Sequence, residues 1–266
     1  MLALIAGTGA LPGELAAQLD APPLVCALEG FGPDALTVDV WFRLETLGTL
    51  LAVLRDNGVG RICMAGAIGR PVIDPGAIDA ATRPLVPVLQ QAMASGDDAA
   101  LRAAIAVFEQ AGMQVSAAHE IAPDLLLPAG VPSTAQPGDS ERADATRGAE
   151  IVNAMAAADI GQACVVQHHQ ALAVEGAYGT DWMLRSLTTR PDAGGGVLFK
   201  APKPGQDRRV DLPTIGPDTI TAACAAGLSG VVIEAGGVIV LDLPGVLAEC
   251  NRLGLFLWLR EAAEPG

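Results

Sequence analysis

The chain has 266 residues, and 16 Lys and Arg against 30 Asp and Glu give it a net charge of −14. Its 51% hydrophobic residues can form a large buried core, which excludes a disordered chain, and its acidity argues against a nucleic-acid-binding protein. No apolar run reaches the roughly 18 residues of a membrane span, and the N-terminus lacks the basic start of a signal peptide. We therefore expect a cytoplasmic protein.

The first half of the chain alternates short apolar runs with helical patterns. The apolar runs predict strands at 2–6, 24–28, 36–42, 61–67 and 113–118. The helical patterns predict helices at 10–19, 45–57, 84–94 and 97–111. Because strands and helices alternate, we expect a Rossmann-like α/β domain with a mostly parallel sheet over 1–130.

A segment rich in proline and glycine follows this half. Residues 123–140 hold four Pro and two Gly, a composition typical of a linker or an irregular crossing. We therefore expect a linker at 131–140 and a second α/β domain over 141–266.

The second half predicts a mixed α/β domain with hairpins. One hairpin is expected at 163–175 with its turn at His168–His169, and another at 231–242 with its turn at 235–237. Single strands are predicted at 197–200 and 255–259, and a loop rich in proline and glycine at 201–217. Helices are predicted at 141–158, from Thr180–Asp181 onward, at 218–227 and at 244–253.

A glycine turn stands between the first predicted strand and the first predicted helix. Gly7 and Gly9 let the backbone approach a phosphate, and Leu11 and Pro12 follow at the helix start. Glu29 ends the second strand, where dinucleotide-binding folds place a ribose-binding acid, but Pro12 occupies the place of their third glycine. The pattern leaves open a phosphate or nucleotide site, an NAD(P)-dependent oxidoreductase and a plain tight turn.

A cationic segment spans residues 200–216. It holds four of the sixteen Lys and Arg within ten residues, among them Lys200, Lys203 and Arg209, and its prolines restrict the backbone. Cations on a rigid loop suit phosphate groups. Asp211, between apolar neighbours, is expected either to hold a hard cation or orient a water, or simply to pair with Arg209 or cap a turn.

Two further carboxylates lie beside a predicted helix start. Glu175 and Asp181 flank Gly179 and Thr180, and they could join Asp211 around a metal ion. Gly179 and Thr180 suit an anion site or an ordinary helix cap, and the two roles are compatible.

An arginine follows the strand predicted at 61–67. Gly66 and Arg70 lie at the carboxyl end of that strand, where open α/β sheets bind ligands. Arg70 precedes a proline that holds it extended, so it suits either a phosphate contact or an ordinary exposed position.

The five cysteines are never spaced CxxC, and His168 and His169 point to opposite faces of the hairpin, so zinc is disfavoured and Mg²⁺ or Mn²⁺ is expected.

Several segments occur together in an unusual order. They are LIAGTGALP at 4–12, MAGAIGRP at 64–71, SGDDAALR at 95–102, LAVEGAYGTDWMLR at 172–185 and VLFKAPKPGQDRRVDLPTIG at 197–216. With them the chain resembles, nearly from end to end, the LpxI-type UDP-2,3-diacylglucosamine pyrophosphatases of Gram-negative lipid A biosynthesis. One departure is Ala67, where the family commonly has Asn.

The resemblance implies two α/β domains with the substrate between them, the C-terminal one being catalytic. It also implies a Mg²⁺-dependent hydrolase that converts UDP-2,3-diacylglucosamine to UMP and 2,3-diacylglucosamine 1-phosphate (lipid X). Asp211 matches the family's essential acid, so we expect it to be catalytic and a metal ligand. The expected metal ligands also include Glu175 and Asp181.

The remaining site residues combine the residue patterns described above with the matching segments. The expected catalytic cations are Lys200, Lys203 and Arg209. The expected substrate contacts are Gly7, Gly9, Leu11, Pro12, Gly66, Arg70, Gly179, Thr180, Gln206 and Thr214. Because the substrate carries acyl chains, we expect loose peripheral contact with the inner membrane, and a homodimer is also expected. Two alternatives stay open: the oxidoreductase, and a non-catalytic protein that binds a nucleotide-linked lipid.

Overall fold

The computed structural model describes residues 1–69, 71–94 and 97–262, and the chain divides into two compact units. Unit 1 comprises Met1–Pro123 and the short segment Asp207–Asp211. Unit 2 comprises Asp124–Gln206 and Leu212–Gly266. The segment predicted as a linker, 131–140, falls within unit 2, and the second half of the chain returns five residues to unit 1.

The sheet of unit 1 is parallel throughout its described strands. The strands are β1 (Leu2–Ala6), β2 (Leu24–Leu28), β3 (Val40–Phe42), β4 (Arg61–Ala65) and β5 (Gln114–Ser116), in the order β3-β2-β1-β4-β5. This confirms the Rossmann-like prediction. The strand order reverses at β1, because β2 and β3 are added on one side of it and β4 and β5 on the other. The carboxyl ends of β1 and β4 therefore form a switch point of the kind at which α/β sheets bind ligands.

Five α-helices lie in the described part of unit 1. They are α1 (Leu11–Ala17), α2 (Leu47–Asp56), α3 (Val86–Ala94), α4 (Asp97–Gln110) and α5 (Ala118–Ile121). In α2 the buried leucines recur every three or four residues, at 47, 50, 51 and 54, which is the spacing of one helix face. They join Ile5, Leu28 and Phe108 in one apolar core.

The strand predicted at 36–42 is wrong for its first four residues. Only Val40–Phe42 is a strand. At Asp39 the side-chain carboxylate, rather than a backbone carbonyl, accepts the N–H of Val25 at 2.9 Å. The regular ladder with β2 therefore begins one residue later, at Val40.

Unit 2 is built on a mixed sheet. Its strands are β6 (Ala163–Gln167), β7 (Gln170–Val174), β8 (Val197–Lys200), β9 (Thr214–Ile215), β10 (Gly230–Glu234), β11 (Ile239–Val240) and β12 (Phe256–Arg260). The main sheet has the order β12-β10-β8-β6-β7. Strands β12, β10 and β8 are parallel, and β6 is antiparallel to both of its neighbours, β8 and β7. The helices are α6 (Asp139–Ala156), α7 (Gly179–Ser186), α8 (Pro217–Ala225) and α9 (Leu243–Leu253).

Both faces of this sheet are covered. Leu198 and Val231 belong to one buried cluster, and their neighbours Phe199 and Val232 belong to another, because successive residues of a strand point to opposite faces. Gly148 of α6 lies so close to the sheet that a Cβ atom there would be 2.6 Å from the Cβ of Phe199. Among the described residues, no helix is both long enough and apolar enough to cross a bilayer.

The first predicted hairpin is confirmed. β6 and β7 are antiparallel and are joined by His168 and His169, both in the left-handed region with φ of 50° and 64°. Both backbone N–H groups donate to the buried carboxylate of Asp144 in α6, at 3.2 and 2.7 Å. This carboxylate fixes the strained two-residue turn, so the histidines occupy a turn for structural reasons.

The second predicted hairpin is wrong. β10 lies in the main sheet, whereas β11 pairs in parallel with β9, a strand within the segment predicted as a loop. Residues 235–237 form a turn whose backbone bonds to other parts of unit 2. Ala235 N–H donates to the carbonyl of Arg260, and Gly236 N–H donates to the carbonyl of Leu127. These bonds direct the chain away from β10 after Glu234.

Candidate functional site

The glycine turn of unit 1 lies at the switch point and is packed against the loop that follows β4. Gly7 N–H donates to the carbonyl of Ala65 at 2.7 Å, and Thr8 and Ala67 exchange backbone hydrogen bonds of 2.9 and 3.0 Å. A Cβ atom on Gly7 would lie 2.5 Å from the carbonyl oxygen of Ala67, and one on Gly66 would lie 2.7 Å from Gly7. The structure thus brings Gly7 and Gly66 together, and both positions require glycine.

Gly9 completes this turn in a left-handed conformation, with φ of 95°. Its N–H donates to the carboxylate of Asp34 at 3.4 Å. α1 begins directly afterwards at Leu11, and Pro12 occupies its first turn, where a missing N–H costs nothing. Asp34 was not expected from the sequence, since it stands 25 residues away and belongs to no motif.

The acid considered for a ribose contact has a partner within unit 1. The carboxylate of Glu29 pairs with Arg43, Nη1 to Oε2, at 3.6 Å. Arg43 also holds the buried Glu45 at 2.8 Å and lowers the pKa of that carboxyl to about 2 through its side-chain hydrogen bond. The predicted substrate contact Arg70 lies outside the described residues.

A buried polar network lies in unit 2. Lys200, at the end of β8, donates from Nζ to the hydroxyl of Thr180 at 2.9 Å and to the carbonyl of Thr214 at 3.0 Å. The Thr180 hydroxyl in turn donates to Oε1 of Glu175 at 2.6 Å, while Gln162 N–H donates to Oε2 at 2.8 Å. The Lys200, Thr180 and Glu175 residues are each only 7% exposed. Four residues singled out from the sequence therefore meet in one network.

The hydrogen bonds of this network show what Thr180 and Glu175 do in the structure. Thr180 does not cap α7; its hydroxyl links a buried cation to a buried carboxylate. Both oxygens of Glu175 accept hydrogen bonds, so the carboxylate is already well satisfied without a metal ion. Asp181 follows in the first turn of α7 with its side chain exposed, and Gly179 begins the helix with φ of 78°. In the described part of the chain no three His, Cys, Asp or Glu side chains are grouped as metal ligands.

The loop after β8 is a fixed turn. Lys203 pairs with Asp159, Nζ to Oδ1, at 2.6 Å. The side-chain oxygen of Gln206 accepts the N–H of Lys203 at 2.9 Å, and Gly205 takes a φ of 78° behind Pro204. Gln206, expected to contact the substrate, closes this turn, and the ammonium of Lys203 is held by an acid that sequence reasoning missed.

The segment Asp207–Asp211 forms an ion-paired turn that belongs to unit 1. Arg209 donates to both carboxylate oxygens of Asp207, at 3.0 Å from Nε and 2.7 Å from Nη2. Its remaining Nη1 donates to Oε1 of Glu109 in α4 at 2.8 Å. The hydrogen bond from Arg209 holds the pKa of Asp207 below its ordinary value, and Asp207 and Glu109 raise the pKa of Arg209.

Asp211 is carried at the end of this turn. The carbonyl of Asp207 accepts the N–H groups of Val210 and Asp211, each at 3.2 Å, and Val210 packs against the apolar core of unit 1. The sequence left open a pair between Asp211 and Arg209; Arg209 instead pairs with Asp207 and Glu109. Glu109 could not be found from local spacing, because it precedes Arg209 by 100 residues.

Comparison with known proteins matches both halves of the chain. The family model of the LpxI N-terminal domain matches residues 1–125, and that of the LpxI C-terminal domain matches residues 128–258. The UDP-2,3-diacylglucosamine pyrophosphatase LpxI of Caulobacter vibrioides is 39% identical over 270 residues, which cover 96% of each chain.

Proposed function

The chain belongs to the LpxI family, and we propose that it hydrolyses the pyrophosphate of UDP-2,3-diacylglucosamine to UMP and 2,3-diacylglucosamine 1-phosphate, lipid X. It is a hydrolase of lipid A biosynthesis that acts on a phosphorus anhydride. The observation that carries the function is the match over nearly the full length of a pyrophosphatase, with both domain models in order.

Hydrolysis adds water across the P–O–P link, so one P–O bond forms, another breaks, and each product keeps one phosphate. Negative charge develops on the phosphate oxygens, and preorganised cations stabilise it. Lys200 supports this role, because its ammonium is buried and two acceptors fix its position before any substrate arrives. We propose Lys203, held by Asp159, as a second cation.

Asp211 is the residue that we propose to orient the attacking water or to hold Mg²⁺. Mg²⁺ binds through one or two carboxylates together with substrate phosphates, so a half-buried aspartate suits it. When bound, the ion would neutralise charge on the phosphate oxygens. Asp181 is an exposed carboxylate that also suits the ion, whereas Glu175 is already satisfied by two donors. The predicted set of three ligands stays a prediction.

Two glycine loops support a phosphate role in unit 1. Gly7, Gly9 and Gly66 place bare backbone at the switch point of the parallel sheet, where ligands approach closely. The other predicted substrate contacts stay predictions for mutagenesis. They are Leu11, Pro12, Arg70, Gly179, Gln206 and Thr214.

The function is tested by UMP release from UDP-2,3-diacylglucosamine, with Mg²⁺ and with EDTA. We expect UMP and lipid X in equal amounts, and loss of turnover with EDTA. UDP-glucose, which lacks the acyl chains, serves as the control substrate. Binding without turnover would favour the non-catalytic alternative, and a saturable change in NADH fluorescence would favour the oxidoreductase.

Peripheral contact with the inner membrane from a cytoplasmic location is supported by one exposed aromatic pair. Tyr178 and Trp182 are 77% and 51% exposed, and their ring centroids are 5.4 Å apart. Such rings favour the lipid headgroup region. We expect Trp182→Ala to lower sedimentation with phosphatidylethanolamine and phosphatidylglycerol vesicles, and the equally exposed Trp41→Ala to leave it unchanged. The homodimer stays a prediction that sedimentation velocity would test.

A further inference from the structure

We propose that Glu109 and Arg209 are positioning residues that hold the acid Asp211 in place through Asp207. The inference rests on the proposed function, since it assigns a role in the same reaction. It adds Glu109, which stands in α4 near its end, far in sequence from the motif that contains Asp211.

The contacts form a continuous chain. Glu109 accepts from Arg209 at 2.8 Å, and Arg209 donates to both carboxylate oxygens of Asp207. The side chain of Asp207 also accepts the backbone N–H of Arg209 at 3.1 Å. The carbonyl of Asp207 then holds the N–H of Asp211 at 3.2 Å. These contacts connect Glu109 to the backbone of Asp211.

The charges show why Arg209 acts through this turn. One guanidinium is shared by two carboxylates, so the three side chains together carry a net charge of −1. A phosphate would have to compete with both acids for the same donors. Lys200 lies in unit 2, where its ammonium donates to the hydroxyl of Thr180 and the carbonyl of Thr214.

Burial indicates that the Glu109 pair contributes little to folding. The side chains of Arg209 and Glu109 are 40% and 47% exposed, and ion pairs of that exposure stabilise a fold weakly. Val210 is the one apolar residue of the segment Asp207–Asp211, and it packs against the apolar core of unit 1. The ion pair therefore fixes where the turn lies rather than whether unit 1 folds.

The test compares two glutamates in matched ion pairs. Glu150 pairs with Arg147 at 2.7 Å, with side chains 59% and 48% exposed, and lies on α6. We expect Glu109→Ala to lower kcat about 10- to 100-fold with KM within about twofold, because a small misplacement of a reacting group costs rate. Glu150→Ala should leave both constants unchanged, and the two variants should shift Tm equally.

A double-mutant cycle separates positioning from phosphate binding. Glu109→Ala/Arg209→Ala should be no slower than Arg209→Ala alone, because both changes break the same chain of contacts. A raised KM with unchanged kcat in Arg209→Ala would overturn the proposal, since it would mean that the guanidinium contacts the substrate. Equal kcat in Glu109→Ala and Glu150→Ala would also overturn it.

A second readout does not depend on the substrate. Amide hydrogen exchange in a peptide that covers 207–211 should accelerate in Glu109→Ala and not in Glu150→Ala, because the Asp211 N–H is bonded within the turn. Unchanged exchange would overturn the positioning role. If wild-type protein releases no UMP, the proposed function fails, and the exchange result still decides whether Glu109 holds the turn.

Discussion

Two cations of one sequence motif, Lys200 and Arg209, lie in opposite surroundings. Lys200 is 7% exposed and is bound by the hydroxyl of Thr180 and a backbone carbonyl, within unit 2. Arg209 is 40% exposed and is bound by two carboxylates, within unit 1. Residues that a motif groups together thus lie in different units and differ in burial and in the partners that hold them.

The largest expected effect is at Lys200. Lys200→Met removes the cation from a network that contains the buried Glu175 carboxylate, so we expect a loss of about 3–5 kcal/mol in the free energy of unfolding. Turnover should be lost as well. Urea denaturation and UMP release measure the two effects.

Lys203→Met is the matched control for this prediction. The ammonium of Lys203 pairs with the half-exposed Asp159, so its loss should cost less than about 1 kcal/mol of stability. If the two variants unfold at the same urea concentration, the distinction between the buried network of Lys200 and the partly exposed pair of Lys203 is incorrect.

A smaller effect is expected from the hydroxyl that joins Lys200 to Glu175. Thr180→Val keeps the shape of the side chain but removes one hydrogen bond from each charged partner, so we expect a loss of about 1–3 kcal/mol. Thr146→Val in α6, whose exposed hydroxyl bonds to the carbonyl of Arg142, should change stability by less than about 0.5 kcal/mol. Equal losses of stability in Thr180→Val and Thr146→Val, measured by urea denaturation, would contradict the role of the Thr180 hydroxyl.

The smallest effect on stability is expected in the ion-paired turn. Arg209 lowers the pKa of Asp207 below 3.8, so the pair stabilises the fold above that pH and stops doing so as the pH falls through the lowered value. Because both side chains are partly exposed, the contribution should be below about 1 kcal/mol. Carbon-13 NMR of the Asp207 carboxyl measures its pKa, which Arg209→Ala should raise. An identical titration in both proteins would exclude the ion pair.

Much of the fold follows from local sequence pattern. The buried strands β1 and β2 are continuous apolar runs, and the turn at His168–His169 is bounded by two mainly apolar strands. The hairpin expected at 231–242 is wrong because its turn residues bond to Arg260 and Leu127, which no local pattern shows. β9 was missed because a two-residue strand is specified by its parallel partner β11.

The sequence likewise predicts some residues of the candidate site but not all of their partners. Lys200, Thr180 and Glu175 were found by residue type and motif, and their meeting depends on how β8 and α7 pack. Sequence reasoning grouped Arg209 with the phosphate-binding cations. It could not show that Arg209 also pairs with Glu109, because Glu109 precedes it by 100 residues. Long-range ion pairs leave no periodic signal in a single sequence.

The most direct test of the account is UMP release from UDP-2,3-diacylglucosamine by Asp211→Asn beside wild type, with Mg²⁺ present. The substitution removes the charge and keeps the shape, so we expect kcat to fall about 100- to 10,000-fold while the urea midpoint is retained. Turnover near the wild-type rate in a folded Asp211→Asn protein would contradict the role of Asp211, and with it the reason for the turn that Glu109 and Arg209 hold.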